Sequence, residues 1–517
     1  MANIEINPEF ARALELISAG HSNLFITGKA GTGKSTLLEY FRENSDDEPV
    51  ILAPTGVAAL NVRGQTIHRF FQFRIDVTPD SVRKSRRRPR NAKLYKELTT
   101  LIIDEASMLR ADLLDCVDGF LRKHGPTPQT LFGGVQMVFV GDLYQLPPVV
   151  KSDECEIFET VYETPYFFSA DALKDAEIEI VELQKIYRQK DRKFVELLNR
   201  IRNNTVDGPD LALLNSRVDE GFEPPADSFY ISLTTTNRTA DRINEEKLGT
   251  LPGRAYTSIA ALDGDFDKSH QPAATELVFK KGAHIMLLNN DSSERWVNGS
   301  LGEITRIARN EDDEPEVSVR LDESGKVVQV EPYTWELIRF TLKGGRIATE
   351  VIGRFTQLPF RLAWAVTIHK SQGKTFDRVV IDLERGAFAT GQTYVALSRC
   401  TSFEGIVLHR EVRKSSIRSD WRVQKFLTHH RYRKSEDALP AKEKIRLIRD
   451  AIREGRDISM TYLRANDTET RRVVTPLSVG KQTYQEKEFD GMRAYCAMRS
   501  EERTFRVDRI LEMKVVS

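Results

Sequence analysis

Gly28-Lys29-Ala30-Gly31-Thr32-Gly33-Lys34-Ser35 follows an apolar run and precedes an amphipathic stretch from Thr36 to Glu43. Glycines let backbone N–H groups curl around a phosphate, and the start of a helix adds partial positive charge. In that setting Lys34 would neutralise the β- and γ-phosphates of a nucleoside triphosphate such as ATP, and Ser35 would offer its hydroxyl to Mg2+. Gly28, Ala30, Gly31, Thr32, Gly33 and Thr36 complete the expected cradle. A phosphate loop of this kind joins a strand to a helix, which places the chain in the α/β class.

The flanking sequence agrees. Residues 23–27, 50–53, 100–103 and 136–140 are short apolar runs that each end at Gly, Pro or Asp, with helical stretches between most of them. That is the pattern of a parallel sheet buried on both faces. In Leu101-Ile102-Ile103-Asp104-Glu105, Asp104 ends a strand and would hold Mg2+, while Glu105 would orient and deprotonate the attacking water. Gln145, beyond the next strand, reads equally well as a γ-phosphate partner or as a polar loop residue.

Bulk properties bound the rest. A length of 517 residues suggests roughly three or four domains. Lys+Arg and Asp+Glu are both 76, so any nucleic-acid surface must be a local basic groove. The start of the chain lacks the basic and apolar segments of a signal peptide, and no apolar stretch approaches the roughly 20 residues of a membrane span. Cys116, Cys155, Cys400 and Cys496 match no ligand spacing and read as reduced and structural, in a cytoplasmic setting.

Further along, residues 72–97 break the sheet pattern and carry a basic run, Arg83 to Arg90, which is either a phosphate contact or a solvated loop. Residues 303–352 alternate apolar and polar side chains, as in a small antiparallel barrel. The expected layout is a first domain over 1–175 with an insertion at 72–97, and a second over 176–302 and 353–412 around the 303–352 barrel. A connector at 413–440 and a last unit at 441–517 follow.

Several segments match one motif set in order. These are Ala53-Pro54-Thr55-Gly56-Val57-Ala58-Ala59 with Thr66-Ile67-His68-Arg69-Phe70-Phe71, then Leu183-Gln184-Lys185-Ile186-Tyr187-Arg188-Gln189. Thr367-Ile368-His369-Lys370-Ser371-Gln372-Gly373-Lys374-Thr375 and Gly391-Gln392-Thr393-Tyr394-Val395-Ala396-Leu397-Ser398-Arg399 follow, and Trp296-Val297-Asn298-Gly299 also recurs. Together they resemble motifs Ia, IV, V and VI of superfamily 1B helicases, most closely the petite-integration-frequency (Pif) family, relatives of the RecD helicase.

The resemblance implies two RecA-like parallel-sheet P-loop domains, a small wedge insertion and an inserted SH3-like β-barrel. It implies an ATP-dependent DNA helicase moving 5′-to-3′ on single-stranded DNA and opening forks, acting as a nucleoid-associated monomer of bacterial type. Arg188 and Arg399 would be arginine fingers, with Gly373 beside them at the nucleotide. Thr55, Gly56, His68, Phe70, Thr367, His369, Lys370 and Ser371 would hold DNA, Phe70 by stacking on bases. The family's adenine-reading glutamine is replaced by Phe10, which predicts looser base selection, with GTP tolerated.

Asp457-Ile458-Ser459-Met460-Thr461-Tyr462-Leu463, Arg471 to Leu477 and Arg503 to Ile510 resemble a WYL domain, implying a C-terminal Sm-like β-barrel that binds a ligand or nucleic acid. Arg499, Arg503, Arg506 and Arg509 would form its anion-binding face, unless Arg509 pairs with Asp508. Two other functions fit the sequence: an RNA- or RNP-remodelling ATPase of the Upf type, and a WYL ligand sensor that uses its ATPase as a switch.

Overall fold

A computed structural model describes residues 5–20, 22–45, 48–150, 154–189, 191–225, 228–266, 270–309, 315–383, 389–464, 469–484 and 487–516. The chain divides into two compact units, Met1–Ser419 and Asp420–Ser517.

In the first unit, Asn7 caps helix α1 (Pro8–Ala19) by accepting from the Phe10 N–H at 2.8 Å, and left-handed Gly20 ends it. Then come β1 (Asn23–Gly28), α2 (Lys34–Glu43), β2 (Val50–Ala53), α3 (Gly56–Asn61), β3 (Gln65–Thr66) and α4 (Ile67–Phe70). The 72–97 insertion contributes α5 (Pro79–Lys84) and α6 (Ala92–Lys96), which pack on α7 (Ala111–His124). Strands β4 (Thr100–Ile103), β5 (Gln136–Gly141) and β6 (Ile178–Leu183), with α8 (Cys155–Val161), complete this lobe.

The six strands form one parallel sheet in the order β3-β2-β4-β5-β1-β6. Every residue of β5 is buried, which explains its unbroken apolar run. Strand β6 pairs along its whole length with β1, so the first lobe extends past residue 176, where the sequence suggests a new domain. As an edge strand, β6 reads ambiguously without its partner.

The second lobe begins with α9 (Arg192–Arg202), α10 (Gly208–Asn215), β7 (Ile231–Thr234) and α11 (Asn237–Thr250). An antiparallel region interrupts it: β8 (Tyr256–Ile259), β9 (Ala261–Gly264), β10 (Glu276–Phe279), β11 (His284–Leu287), β12 (Leu301–Arg309), β13 (Pro315–Leu321) and β14 (Val327–Val330). Hairpin β15 (Tyr333–Lys343) and β16 (Arg346–Gln357), then β17 (Phe360–Leu362), close the interruption. It is wider than residues 303–352, because β11 bridges β12 and β17, and β9 adds to β16. The lobe resumes with β18 (Ala365–Thr367), β19 (Val379–Ile381), α12 (Gln392–Leu397) and β20 (Ile406–Leu408), giving a parallel sheet in the order β18-β7-β19-β20.

A buried ion pair joins the lobes: Arg202 on α9 donates to Asp142, just beyond β5, at 3.0 Å. Removing one partner of such a pair typically costs about 3–5 kcal/mol, because the other charge stays buried. Its guanidinium also lies over the Tyr144 ring, 3.9 Å from the centroid.

The second unit holds α13 (Trp421–Ala438), α14 (Ala441–Glu454), β21 (Asp457–Leu463), β22 (Glu469–Tyr484), β23 (Lys487–Cys496), β24 (Glu501–Arg506) and β25 (Ile510–Val516). Its sheet runs β24-β23-β22-β21-β25. Helix α13 occupies most of the expected connector but belongs to this unit: Ser435 Oγ donates to the Leu511 carbonyl at 2.7 Å and accepts from Lys444 Nζ at 2.7 Å. Two arginines of the expected anion face are already paired, Arg503 with Glu501 and Arg506 with Asp508. Among the described residues, no helix is long and apolar enough to cross a membrane.

Candidate active site

The loop between β1 and α2 takes backbone conformations that side chains resist. Gly31 and Gly33 have φ of +79° and +87°. A Cβ on Gly31 would lie 2.5 Å from the Cβ of Arg188, so the second arm of the site is packed directly on the loop. The Tyr187 N–H donates to the Gly31 carbonyl at 2.8 Å, and the Ala30 N–H donates to the Tyr394 hydroxyl at 3.2 Å. Lys34 Nζ donates to the carbonyls of Gly28 at 2.8 Å and Lys29 at 3.1 Å. Burial lowers the Lys34 pKa, against the pull of Asp142, Glu105 and Asp104. Ser35 and Thr36 fall in the first turn of α2, and Thr32 Oγ1 closes the loop on the Lys29 carbonyl at 3.0 Å.

Asp104 and Glu105 leave the end of β4. Glu105 has φ of +51°, a strained value for a residue with a side chain. Burial, then repulsion from Asp104, raises the Glu105 carboxyl to about 7, and burial raises Asp104 to about 6. Burial would raise Asp142 too, but Arg202 and Lys34 outweigh it and hold that carboxyl below its usual range. The Asp104–Glu105 pair is thus short of positive charge. The buried Asp104 carboxylate and the Ser35 hydroxyl in the first turn of α2 are oxygen donors of the kind Mg2+ takes, the ion filling its remaining positions with water and phosphate. Ser35 and Asp104 therefore fit the ion.

Gln372 crosses from the second lobe to this pair. Its Nε2 donates to Glu105 Oε2 at 2.9 Å and to Gln145 Oε1 at 3.3 Å, while Gln145 Nε2 donates to Asp142 Oδ2 at 3.3 Å. Gln372 and Tyr394 lie inside the motifs quoted above without being singled out as site residues, and Arg202 lies in none; each acquires its place through contacts between lobes. Gly391 is equally constrained, since a Cβ there would lie 2.5 Å from the carbonyls of Tyr144 and Gln145.

Arg188 and Arg399 lie together. Arg188 donates to the carbonyls of Ser398 and Gly373, both at 3.3 Å. Arg399 is 1% exposed and donates to the Val395 carbonyl at 3.0 Å and Ser398 Oγ at 3.0 Å. Burial, with Arg188 nearby, lowers Arg399 to about 9. Phe10 is buried against Tyr40 and offers no amide to a base; Tyr187, whose ring edge lies 4.0 Å from a Cβ built on Gly33, stands nearer the loop.

The expected DNA contacts divide in two. Thr55 is exposed at the start of α3 and caps it by accepting from Ala58 N–H at 3.3 Å, with Gly56 next to it. His68 and His369 are partly buried, which lowers both imidazole pKa values, and Lys370 is exposed. Three others are corrections. Phe70 is 4% exposed, wedged between Phe71, Tyr95 and Phe340, and so packs rather than stacks on bases. Ser371 is fully buried, its hydroxyl donating to the Ile368 carbonyl at 2.7 Å. Thr367 is 3% exposed and caps the turn by accepting from Lys370 N–H at 3.3 Å. Among the contacts that span the lobes on this side, Asn298 Nδ2 donates to Asn61 Oδ1 at 3.4 Å and its oxygen accepts from Lys374.

Residues 6–210 match the family described as PIF1-like helicase, and residues 443–515 match the WYL domain. The chain is 32% identical over 418 residues to the ATP-dependent DNA helicase Pif1 of Bdellovibrio bacteriovorus, across 78% of this chain and 88% of that protein. It resembles the crystal structure of Bacteroides sp. Pif1 in complex with ADP-AlF4, at 38% identity and a TM-score of 0.75 over 83% of this chain and 97% of that one. Against Bacteroides Pif1 in complex with ADP-AlF3 and ssDNA, the TM-score is 0.59 at 38% identity, over 83% and 98% of the two chains. The chain belongs to the PIF1-like helicase family: it is an ATP-dependent DNA helicase that carries a C-terminal WYL domain.

Proposed function

We propose that this enzyme hydrolyses ATP between its two α/β lobes to travel 5′-to-3′ along single-stranded DNA. The observation that carries the reading is that Arg188 and Tyr394, from beyond the first sheet, meet the phosphate loop that holds Lys34, while Gln372 from the second lobe meets Glu105 beside it. The loop amides and Lys34 bind the β- and γ-phosphates in place of the Gly28 and Lys29 carbonyls. Mg2+, held by Ser35 and Asp104, would spread phosphate charge. Glu105, poised by burial to accept a proton near neutral pH, takes it from the attacking water. Arg188 and Arg399 exchange backbone carbonyls for γ-phosphate oxygens, which draws the lobes together; product release lets them part.

DNA lies along the side marked by Thr55, Gly56, His68, His369 and Lys370. Gln372 follows that last segment by two residues and touches Glu105, so a strand seated there repositions the base. The resemblance to superfamily 1B motifs supports the 5′-to-3′ polarity. In the C-terminal unit, Arg499 and Arg509 have no ion pair among the described residues, which suits an accessory role on single strands.

Three outcomes test this reading. Single-stranded DNA strongly stimulates ATP hydrolysis by the wild type, whereas Glu105→Gln loses about 10²–10⁴-fold in rate while still binding nucleotide; an unstimulated wild type sinks the proposal. Duplexes with only a 5′ tail are unwound in a strand-displacement assay, and unwinding of 3′-tailed duplexes alone reverses the polarity. Arg499→Glu with Arg509→Glu weakens single-strand binding and flattens its log–log salt dependence by about 0.7 for each phosphate that is no longer neutralised; an unchanged slope removes the WYL domain from the DNA.

A further inference from the structure

Between Asp80 and Glu97 the chain has eight Lys or Arg and no acid, although its net charge is zero. Beside this segment lies a cavity of about 340 Å3, lined by Phe71, Phe73, Phe120, Arg74, Arg87 and His124 among others. That volume falls in the range of about 300–1,000 Å3 usual for small-ligand sites.

The floor of the cavity is aromatic. The Phe71 and Phe73 rings stack at 5.4 Å, and Phe73 meets Phe120 edge-on at 5.8 Å. Phe71 and Phe120 are buried, while Phe73 is half-buried. Lys123 holds the wall in place by donating to the carbonyls of Val82 at 2.8 Å, Arg83 at 2.5 Å and Ser85 at 3.1 Å, so its charge is used on the end of α5. Arg83 and Lys84 pair with Asp80, but Arg86, Arg87, Arg88 and Arg90 form no ion pair among the described residues. Ile75, on the loop between Arg74 and Asp76, is 95% exposed.

An aromatic floor beside the unpaired Arg87, with Arg74 on the same lining held by Asp76 at 3.4 Å, is complementary to a nucleotide: the base stacks and a phosphate meets Arg87. The cavity shares no residue with the ATP cleft. It shares Phe71 with the motif Ia segment but stands apart from that segment's His68. His68 feels Asp112 and Arg110 at the start of α7, while Phe120 and His124 lie at the other end of this 14-residue helix, at about 1.5 Å of rise per residue.

We propose that this cavity captures one unstacked nucleobase from a single-stranded arm of forked DNA, with the flanking phosphates on Arg87 and its neighbours. The proposal rests on the DNA-helicase reading and adds a second, base-sensitive contact away from the translocation track. A captured base holds the fork against the first lobe while the track strand advances.

The test uses the full chain and forked DNA in which a single abasic residue is scanned along each arm, with affinity read by fluorescence anisotropy. Wild type loses about tenfold in affinity when the abasic residue reaches one register. Phe73→Ala binds the intact fork about tenfold more weakly and no longer responds to that abasic residue; if it unfolds, Phe73→Leu, which keeps the packing and removes the flat face, gives the same result. Arg87→Glu weakens fork binding and its salt dependence. The arm that shows the effect identifies the captured strand. Indifference of the wild type to abasic residues in both arms overturns the proposal, as does a Phe73→Ala protein that still senses them. Hydrolysis stimulated by single-stranded DNA, measured on the same samples, separates the two readings: it persists if only the cavity fails, and it is absent if the helicase reading fails.

Discussion

The approach of Arg188 to Gly31 governs the rest of the molecule. No side chain fits on the loop at that point, because a Cβ there would be 2.5 Å from the arginine's own. The phosphate loop is therefore pressed against the segment that leads into the second lobe; Tyr394 meets the same loop at Ala30, while Gly391 and Gln372 meet the neighbouring Gln145 and Glu105. Each contact is modest alone. Together they mean that whatever occupies the loop must alter how the lobes meet, which is the mechanical requirement for a motor.

Charge balance in the cleft sorts its acids by task. Asp142 and Asp104 are both buried beside Lys34, yet burial raises one while Arg202 and Lys34 bring the other down. The difference is Arg202, whose pairing with Asp142 makes a fixed structural joint. Glu105 has no such partner. It keeps a raised pKa and a strained backbone, and its hydrogen bond comes from a neutral amide that can leave without stranding a charge. If Glu105 takes the proton as proposed, it is better held by Gln372 than by an arginine.

Local signals are readable in the sequence and non-local ones are not. The strands of the first sheet stand out because burial on both faces leaves no polar alternation, and the loop stands out because glycine and lysine are required at fixed spacing. Strand β6 reads into the wrong lobe because an edge strand has no identity without β1. The antiparallel region reads too narrow because its short outer strands, β8 to β11 and β17, gain register only by pairing. Phe70 resembles a stacking platform until Tyr95 and Phe340 enclose it. Ser371 resembles a phosphate donor until its hydroxyl is seen to sit on the Ile368 carbonyl. Gln372 is visible as a letter in a motif, but its reach to Glu105 depends on the meeting of two lobes.

On the proposed mechanism, cations of the second lobe read a nucleotide bound by the first. Single-turnover ATP cleavage at saturating single-stranded DNA tests it most directly, measured for Arg188→Ala and Arg399→Ala beside their affinity for a non-hydrolysable ATP analogue. Affinity is expected within a few-fold of wild type and cleavage slowed by about 10³–10⁵-fold. Cleavage at the wild-type rate in either variant would contradict it.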